Sequence, residues 1–122
     1  MDIALVGIGL IAEQTPGFCS LAESYGVSVR RLRQLGVVVE INYQPFDADG
    51  RIVDRPELRV LSRRILSVEG ARLQALSRRP DRRVIAIAGG RGKVGALRGA
   101  LQGRFLNTLV TDADAAAALL SH

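Results

Sequence analysis

The stretch that decides the fold runs from Arg83 to Leu101 and reads RVIAIAGGRGKVGALRGAL. It begins with an apolar run, Val84–Ala88, whose length and β-branched content predict a buried strand. Gly89 and Gly90 interrupt this run and permit a tight turn. Beyond the turn the apolar residues recur at the spacing of one helix face: Val94, Leu97 and Leu101. A strand that leads through glycines into a helix presents free backbone N–H groups at the positive end of the helix dipole, so we expect an anion site suited to a phosphate.

Lys93 stands beside this glycine turn and sharpens the interpretation. The chain contains 17 Lys and Arg residues, and all of them except Lys93 are arginine. A lysine kept where arginine is the general preference indicates a site that needs a compact, mobile point charge, as a phosphate monoester does. The spacing Gly-Gly-x-x-Lys is short, however, and equally fits a solvent-exposed lysine on an ordinary turn between a strand and a helix.

Length and composition predict one globular domain spanning residues 1–122, with 48% hydrophobic and 24% charged residues. No apolar run reaches membrane-spanning length, and Asp2 stands where a signal peptide carries positive charge. Cys19 has no second cysteine to pair with, so we expect a reducing cytoplasm with neither a disulfide nor a metal site. A Cys/His nucleophile is disfavoured because the single histidine is the terminal His122.

The net charge of +5 raises nucleic acid as a partner. Aromatic residues make up only 4% of the chain and tryptophan is absent, so a platform for base stacking is not supported. The arginines are scattered in pairs, and neither a helix-turn-helix pattern nor a zinc-ligand spacing is present. We therefore interpret the positive charge as a solvated basic surface.

The remaining elements alternate between strand and helix patterns. The predicted strands are Ile3–Ile8, closed by Gly9, then Val37–Ile41, then a hairpin that turns at Phe46–Gly50 and returns along Arg51–Val53, and finally Phe105–Val110. The predicted helices are Ser28–Leu35, capped by Ser28 and stopped by Gly36, then Ser67–Ser77, and finally a helix that a capping box at Thr111–Asp114 opens and that runs to Leu120. Leu10–Tyr25 reads as a long loop with a short helix near Leu21, and Arg55–Leu66 fits either a helix or an edge strand.

This alternation predicts an α/β fold, with a mostly parallel sheet, flanking helices and a small β-hairpin. Ligands of such sheets lie at the carboxyl ends of the strands. Three predicted strand ends are glycine-rich or polar, and we expect them to form one crevice with Lys93 at its rim: Gly7 with Gly9, Gly89 with Gly90, and Thr111 with Asp112.

Two further carboxylates, Glu40 and Asp47, are candidates for binding sugar hydroxyls. Each candidate except Lys93 and Glu40 also has a purely structural interpretation that is favoured when it is considered alone. Gly7 and Gly9 serve a turn in that interpretation, and Asp112 strengthens a helix start. In the same interpretation Asp47 belongs to a hairpin turn. Its Asp-x-Asp-Gly pattern lacks the remaining ligands of a calcium loop.

Four blocks of sequence occur in an order that resembles one protein family: DIALVGIG, VVVEINYQPFDADGRIVD, RVIAIAGGRGKVGAL and LVTDADAAAALL. Together they are similar to the effector-binding domain of SorC-type bacterial transcriptional regulators, which are often grouped with DeoR-like sugar-responsive regulators. The resemblance extends over nearly the whole chain and corresponds to the C-terminal part of such a domain. The helix-turn-helix domain and the first half of the effector domain of these regulators have no counterpart here.

The resemblance implies a fold related to glucosamine-6-phosphate deaminase and ribose-5-phosphate isomerase. It also implies a phosphorylated sugar as effector, homo-oligomers, and DNA binding only through a helix-turn-helix domain that this chain lacks. By resemblance, Gly89, Gly90 and Lys93 lie at the sugar phosphate and Glu40 contacts a sugar hydroxyl. Asp47 falls at the Phe-Asp position of the family.

These observations predict an effector-sensing module, not an enzyme, that requires no cofactor. Two other classes of function remain open. A sugar-phosphate isomerase would need Glu40 or Asp47 as its general base. An oligomerisation fragment with a degenerate pocket would bind no ligand. Direct nucleic-acid binding through the scattered arginines is a weaker alternative.

Overall fold

A computed structural model describes residues 2–11, 16–63 and 68–121. The elements in these residues are, in chain order, β1 (Ile3–Val6), β2 (Gly9–Leu10), α1 (Pro16–Ser24), α2 (Val29–Gln34), β3 (Val39–Ile41), β4 (Gln44–Phe46), α3 (Pro56–Arg63), α4 (Gly70–Ser77), β5 (Arg83–Ile87), α5 (Val94–Gln102), β6 (Thr108–Val110) and α6 (Ala113–Ser121). A single turn of 3₁₀ helix, Arg91–Lys93, precedes α5. Within the described ranges no helix is long and apolar enough to cross a membrane.

The central sheet is parallel and has three strands in the order β1-β5-β6. Ile3 is in register with Arg83, and Ile85 is in register with Thr108. Successive side chains of a strand point to opposite faces, and the short apolar residues Ala4, Val6, Val84 and Ala86 are buried beneath the helices. The predicted α/β fold with a mostly parallel sheet is confirmed.

The opposite face of this sheet differs from the expectation that helices cover both faces. Its apolar side chains remain accessible, and we call them the open face: Ile3, Leu5, Ile85, Ile87 and Val110. Leu5 is 67% exposed and Ile87 is 61% exposed. In the described part of the chain, the helices therefore pack on one side of the parallel sheet only.

A second, antiparallel sheet contains β2, β3 and β4 and includes the predicted small hairpin. The predicted turn at Phe46–Gly50 and the return along Arg51–Val53 are confirmed. Phe46 forms an antiparallel bridge with Ile52, and the N–H groups of Asp47 and Val53 donate to the carbonyls of Arg51 and Pro45. An earlier turn was not predicted: the chain also reverses between β3 and β4 at Asn42 and Tyr43, whose φ angles of 49° and 65° are those of a tight hairpin turn.

The segment Leu10–Tyr25, predicted as a long loop with a short helix near Leu21, contains the helix α1 around that residue, and α1 accounts for nine of its residues. Pro16 is its first residue, a position that proline tolerates because no intrahelical donor is needed there. Phe18 and Ala22 lie four residues apart and are buried against the α2 and α3 side chains of a second core cluster. This burial, which no local pattern reveals, outweighs the loop-forming tendency of Gly17 and Ser20.

The other helices agree more closely with expectation. Ser28 caps α2 by accepting a hydrogen bond from the Arg31 N–H at 3.1 Å, and Gly36 adopts a positive φ of 85° just beyond it. The ambiguous segment forms the helix α3, with Leu58 and Leu61 buried. Ile65, which shares the helical spacing of Leu58 and Leu61, lies outside the described residues.

Candidate functional site

The carboxyl ends of β1, β5 and β6 lie side by side, because all three strands run parallel in neighbouring positions. An open cleft of about 470 Å³ lies at the ends of β5 and β6. We call it the strand-end cleft, and it is lined by Ile87, Ala88, Gly89, Lys93, Val110, Thr111 and Asp112. The fold thus brings the predicted glycine turn, the lone lysine and the Thr111-Asp112 strand end to one location.

The glycine loop, Gly89–Gly90, is shaped by its contact with Asp112. Gly90 has a positive φ of 94°, and its N–H donates a hydrogen bond of 2.7 Å to Oδ2 of Asp112. A Cβ placed on Gly89 would collide with the same carboxylate oxygen. Glycine is therefore required at Gly90 by backbone conformation and at Gly89 by close approach.

Asp112 joins this loop to the start of α6. Its Oδ1 accepts the Ala115 N–H at 2.8 Å, which is the contact of a helix N-cap. The predicted capping box began one residue earlier, at Thr111, so the prediction of the cap residue was wrong. The Thr111 hydroxyl is instead buried and has no hydrogen-bond partner within the described residues.

The sequence predicted that Thr111 lies in the crevice, but it did not indicate that the Thr111 hydroxyl is a candidate ligand group. Thr111 lines the strand-end cleft, and a buried hydroxyl without a partner costs free energy that a bound polar ligand would recover. The signal available in the sequence was its position directly after β6. Its place in an apparent capping pattern concealed it.

Lys93 bridges the glycine loop to the end of β1. Its Nζ donates a hydrogen bond of 3.2 Å to the backbone carbonyl of Ile8, between Gly7 and Gly9. A Cβ on Gly7 would meet nothing within 4 Å, so neither close approach nor a positive φ requires glycine there. Gly9 is in register with Glu40 across β2 and β3.

Glu40 is a partly buried carboxylate on the neighbouring sheet. Its Oε2 accepts the Tyr43 N–H at 2.9 Å. Burial raises the pKa of the Glu40 carboxyl, while the Tyr43 N–H and the positive charge of Lys93 act in the opposite direction. Burial has the largest effect of the three, so the net direction is a raised pKa.

Asp47 lies outside the strand-end cleft, as do the candidates Gly7, Gly9 and Glu40. Its Oδ1 accepts the N–H groups of Asp49 and Arg51, each at 2.9 Å, which is the arrangement of a turn closed by an aspartate side chain. Asp47 does not line the strand-end cleft. The structural interpretation of this residue therefore accounts for its contacts.

The remaining chemistry in the described residues is limited. Burial raises the pKa of the Cys19 thiol, which disfavours the nucleophilic thiolate. Within the ranges that the structure describes, no group of three or more His, Cys, Asp or Glu side chains could hold a metal ion.

A pH dependence of stability follows from Glu40. Because its pKa is raised on folding, the folded protein holds this proton more tightly than the unfolded chain does. The contribution of Glu40 to stability is greatest below the ordinary pKa of 4.5, and it falls as the pH rises through that value to the raised pKa. We expect Glu40→Gln to remove this fall and to raise Tm at neutral pH, which thermal unfolding at about pH 4 and about pH 7 measures.

Glu57→Gln is the control of opposite sign. Arg31 holds the pKa of Glu57 below its usual value, so this substitution should lower stability at neutral pH or leave it unchanged. If the unfolding of Glu40→Gln changed with pH as that of the wild type does, the assignment to Glu40 would be wrong.

With this geometry described, comparisons with known proteins identify the family. The family described as "Putative sugar-binding domain" matches residues 1–121. The chain belongs to the sugar-binding domain family. The resemblance to SorC-type regulators predicted from the four sequence blocks is thereby confirmed.

Three relatives show how far the similarity of this sugar-binding domain extends. Over 120 residues it is 34% identical to the transcriptional regulator LsrR from Escherichia coli (strain K12), covering 98% of the chain and 35% of LsrR. The crystal structure of the full-length sorbitol operon regulator SorC from Klebsiella pneumoniae matches at a TM-score of 0.75 and 34% identity, covering 98% of the chain and 36% of SorC. The sugar-binding domain of the transcriptional regulator DeoR from Pseudomonas syringae pv. tomato matches at a TM-score of 0.61 and 30% identity, covering 98% and 38%.

The sugar-binding domain described here thus spans little more than a third of the length of these relatives. These relatives are named as transcriptional regulators or as the sugar-binding domain of one. The strand-end cleft therefore lies in a chain whose family is named for binding sugars.

Proposed function

We propose that this sugar-binding domain senses a phosphorylated sugar for a sugar-responsive transcriptional regulator in the bacterial cytoplasm. The observation that carries the proposal is that the glycine loop and Lys93 line one cleft, and that Nζ of Lys93 reaches the Ile8 carbonyl beside Gly9, which is in register with Glu40. The names of the relatives as operon regulators support it. DNA contact then requires a helix-turn-helix domain from outside this chain.

The chemistry divides between the two ends of such a ligand. Backbone N–H groups of the glycine loop and the ammonium of Lys93 suit a phosphate dianion, because both offer positive charge at hydrogen-bonding distance. Glu40 offers only acceptor oxygens, which suit sugar hydroxyl donors. The Thr111 hydroxyl adds a group that both donates and accepts.

Binding is proposed to act through population shift. A phosphosugar that binds one arrangement of a homo-oligomer more tightly than another would change the affinity of the attached DNA-binding domains. Catalysis is not part of the proposal, and detectable turnover of an aldose phosphate would contradict it.

The direct test is thermal unfolding of the chain with a panel of sugar phosphates. A ligand that binds only the folded state raises Tm in a concentration-dependent manner. We expect a rise with one or more sugar phosphates and none with the matching parent sugars or inorganic phosphate. An identical rise with inorganic phosphate alone would show an anion site without sugar recognition. No rise with any sugar phosphate would favour the alternative of an oligomerisation fragment.

Asp112 yields a second prediction at the same site. Its carboxylate accepts the Gly90 N–H, which a bound phosphate would need. Asp112→Asn retains an oxygen for the Ala115 cap and removes the negative charge, so we expect sugar-phosphate affinity to rise about threefold to tenfold. Isothermal titration calorimetry measures this change.

Asp114→Asn is the matched control, since Asp114 lies in the same first turn of α6 with its side chain 74% exposed. It makes the same change in charge without touching the glycine loop. A loss of affinity in Asp112→Asn, with Asp114→Asn unaffected, would instead make Asp112 a direct ligand of the sugar.

A further inference from the structure

Tyr43 occupies an unusual position in the two-residue turn between β3 and β4. Its φ of 65° lies in the left-handed region, and the preceding Asn42 also has a positive φ. Turns of this kind strongly prefer asparagine followed by glycine, because a bulky side chain is strained at a positive φ. Such strain persists only where surrounding contacts hold the residue in place. The contacts of Tyr43 must therefore offset the cost of its backbone conformation.

The side chain of Tyr43 anchors this turn to α1. Its ring packs against the ring of Phe18, with centroids 6.4 Å apart and an angle of 54° between the ring planes. Its hydroxyl lies so close to Gly17 that a Cβ on Gly17 would come within 2.7 Å of the hydroxyl oxygen. Gly17 is the second residue of α1, and glycine weakens a helix relative to alanine. One contact therefore accounts for two unfavourable residues, the glycine in the helix and the tyrosine in the turn.

The backbone of Tyr43 holds the carboxylate of Glu40. The Tyr43 N–H donates a hydrogen bond of 2.9 Å to Oε2 of Glu40. Among the residues that the structure describes, Oε1 of Glu40 has no hydrogen-bond partner. One carboxylate oxygen is therefore fixed by the turn, and the other is left to accept a hydrogen bond from a ligand.

We propose that Tyr43 is a positioning residue for Glu40, because its ring, held against α1, fixes the turn whose N–H orients the carboxylate for a sugar hydroxyl. Tyr43 itself does not contact the ligand in this arrangement. The inference rests on the proposed function for the role of Glu40, whereas the link from the ring to the carboxylate stands without it. A tyrosine that only filled the second core cluster would leave Glu40 in place when the ring is removed, since the turn keeps its N–H.

Nuclear magnetic resonance tests this link without ligand. An amide proton that donates to a carboxylate shifts as that carboxyl titrates, so the amide at position 43 reports the bond to Glu40 between about pH 3 and about pH 8. Glu40→Gln should abolish this titration shift and thereby assign it. Tyr43→Gly removes the ring and relieves the positive φ, and we expect the shift to fall about twofold or more as the bond loosens. Tyr43→Phe retains the ring and should preserve the shift of the wild type.

Isothermal titration calorimetry measures the consequence for binding. The probe is the sugar phosphate that raises Tm most in a panel that includes ribose 5-phosphate and glucosamine 6-phosphate. We expect Tyr43→Gly to weaken its binding about fivefold to tenfold, because a carboxylate that is held loosely loses part of a charge-assisted hydrogen bond. Tyr43→Phe should restore the affinity of the wild type.

Arg104→Gly is the matched control for the change to glycine. Arg104 is also a non-glycine residue at a positive φ, 56°, and it is exposed just beyond α5. Its replacement relieves the same kind of strain away from the turn that holds Glu40, so the amide shift and the affinity should both match the wild type.

Gly17→Ala tests the anchor while Tyr43 stays in place. Its methyl group would displace the Tyr43 hydroxyl, so we expect the amide shift at position 43 to fall, although alanine favours the helix. Circular dichroism verifies that each variant folds. If Tyr43→Gly did not fold, Gly17→Ala and Tyr43→Phe would still decide the proposal.

Three results would overturn the proposal. One is a full amide shift in Tyr43→Gly, because the turn would then hold Glu40 without the ring. Another is an equal loss in Tyr43→Phe and Tyr43→Gly, because the hydroxyl would then be the group that matters. The third is unchanged affinity in Tyr43→Gly despite a lost amide shift. If the wild type bound no sugar phosphate, the proposed function would fail, whereas the amide shift would still decide whether the ring positions Glu40.

Discussion

Replacing Lys93 with methionine is expected to weaken sugar-phosphate binding by about 10- to 100-fold, the loss of one hydrogen bond to a charged group. Lys93 is half-buried, and its Nζ donates a hydrogen bond of 3.2 Å to the Ile8 carbonyl. Methionine retains a flexible apolar stem of similar length, so the packing around α5 should persist. The Tm of the unliganded protein should therefore change little while its rise with sugar phosphate is lost.

Two further variants make this result specific to Lys93. Lys93→Arg keeps the positive charge but replaces a compact ammonium with a planar guanidinium, so we expect partial binding. Arg91→Met removes a positive charge from the same short turn, and the Arg91 side chain is 80% exposed. Calorimetric titration measures the affinity for sugar phosphate. Equal affinities of Lys93→Met and the wild type would show that Lys93 does not bind the ligand.

Replacing Gly50 with alanine should produce the largest loss of stability, about 3–5 kcal/mol. Gly50 has a φ of 83°, and a Cβ there would collide with the backbone of Gly99 and Gly103. Backbone atoms of a helix and its end cannot rotate away as a side chain can. The substitution therefore combines strain in the turn with displacement of α5, the helix that follows the glycine loop.

Gly26→Ala separates these two contributions. Gly26 has a nearly identical φ of 81°, but a Cβ there would meet nothing within 4 Å. It should lose only the cost of a left-handed backbone, about 1–2 kcal/mol. Urea unfolding of both variants measures the difference, and equal losses would show that steric collision at Gly50 is absent.

The elements that sequence reasoning predicted correctly are those whose signals are local. The run Val84–Ala88 followed by two glycines is decided within a few residues, and so is the Ser28 cap of α2. Parallel pairing then brings strand ends together by topology, which is why the glycine loop, Lys93 and Thr111 could be expected in one crevice. The family followed from four blocks in order.

The elements that were missed depend on contacts between distant residues. The helix near Leu21 was predicted, but not its extent, because Gly17 and Ser20 favour loops and the burial of Phe18 and Ala22 in the second core cluster overrides them. The turn between β3 and β4 includes Tyr43 at a positive φ, a conformation that an aromatic residue disfavours. The sequence signal for a turn is stronger at Asp47–Gly50. The hydrogen bonding of Asp112 to Gly90 and of Lys93 to Ile8 spans 22 and 85 residues, and no sequence pattern encodes such contacts.

The pairing of β1 with β5 has a consequence for the order of events in folding. Ile3 lies in register with Arg83, and the flanking Asp2 and Arg82 are 80 residues apart in sequence. The entropy of closing a loop of that length must be lost before any contact of the parallel sheet compensates for it. During synthesis β1 leaves the ribosome long before β5 exists, so the antiparallel sheet and the α1–α3 cluster are expected to form first. The hydrogen bond from Lys93 to the Ile8 carbonyl, which joins the cleft to the end of β1, is then expected to form late in folding.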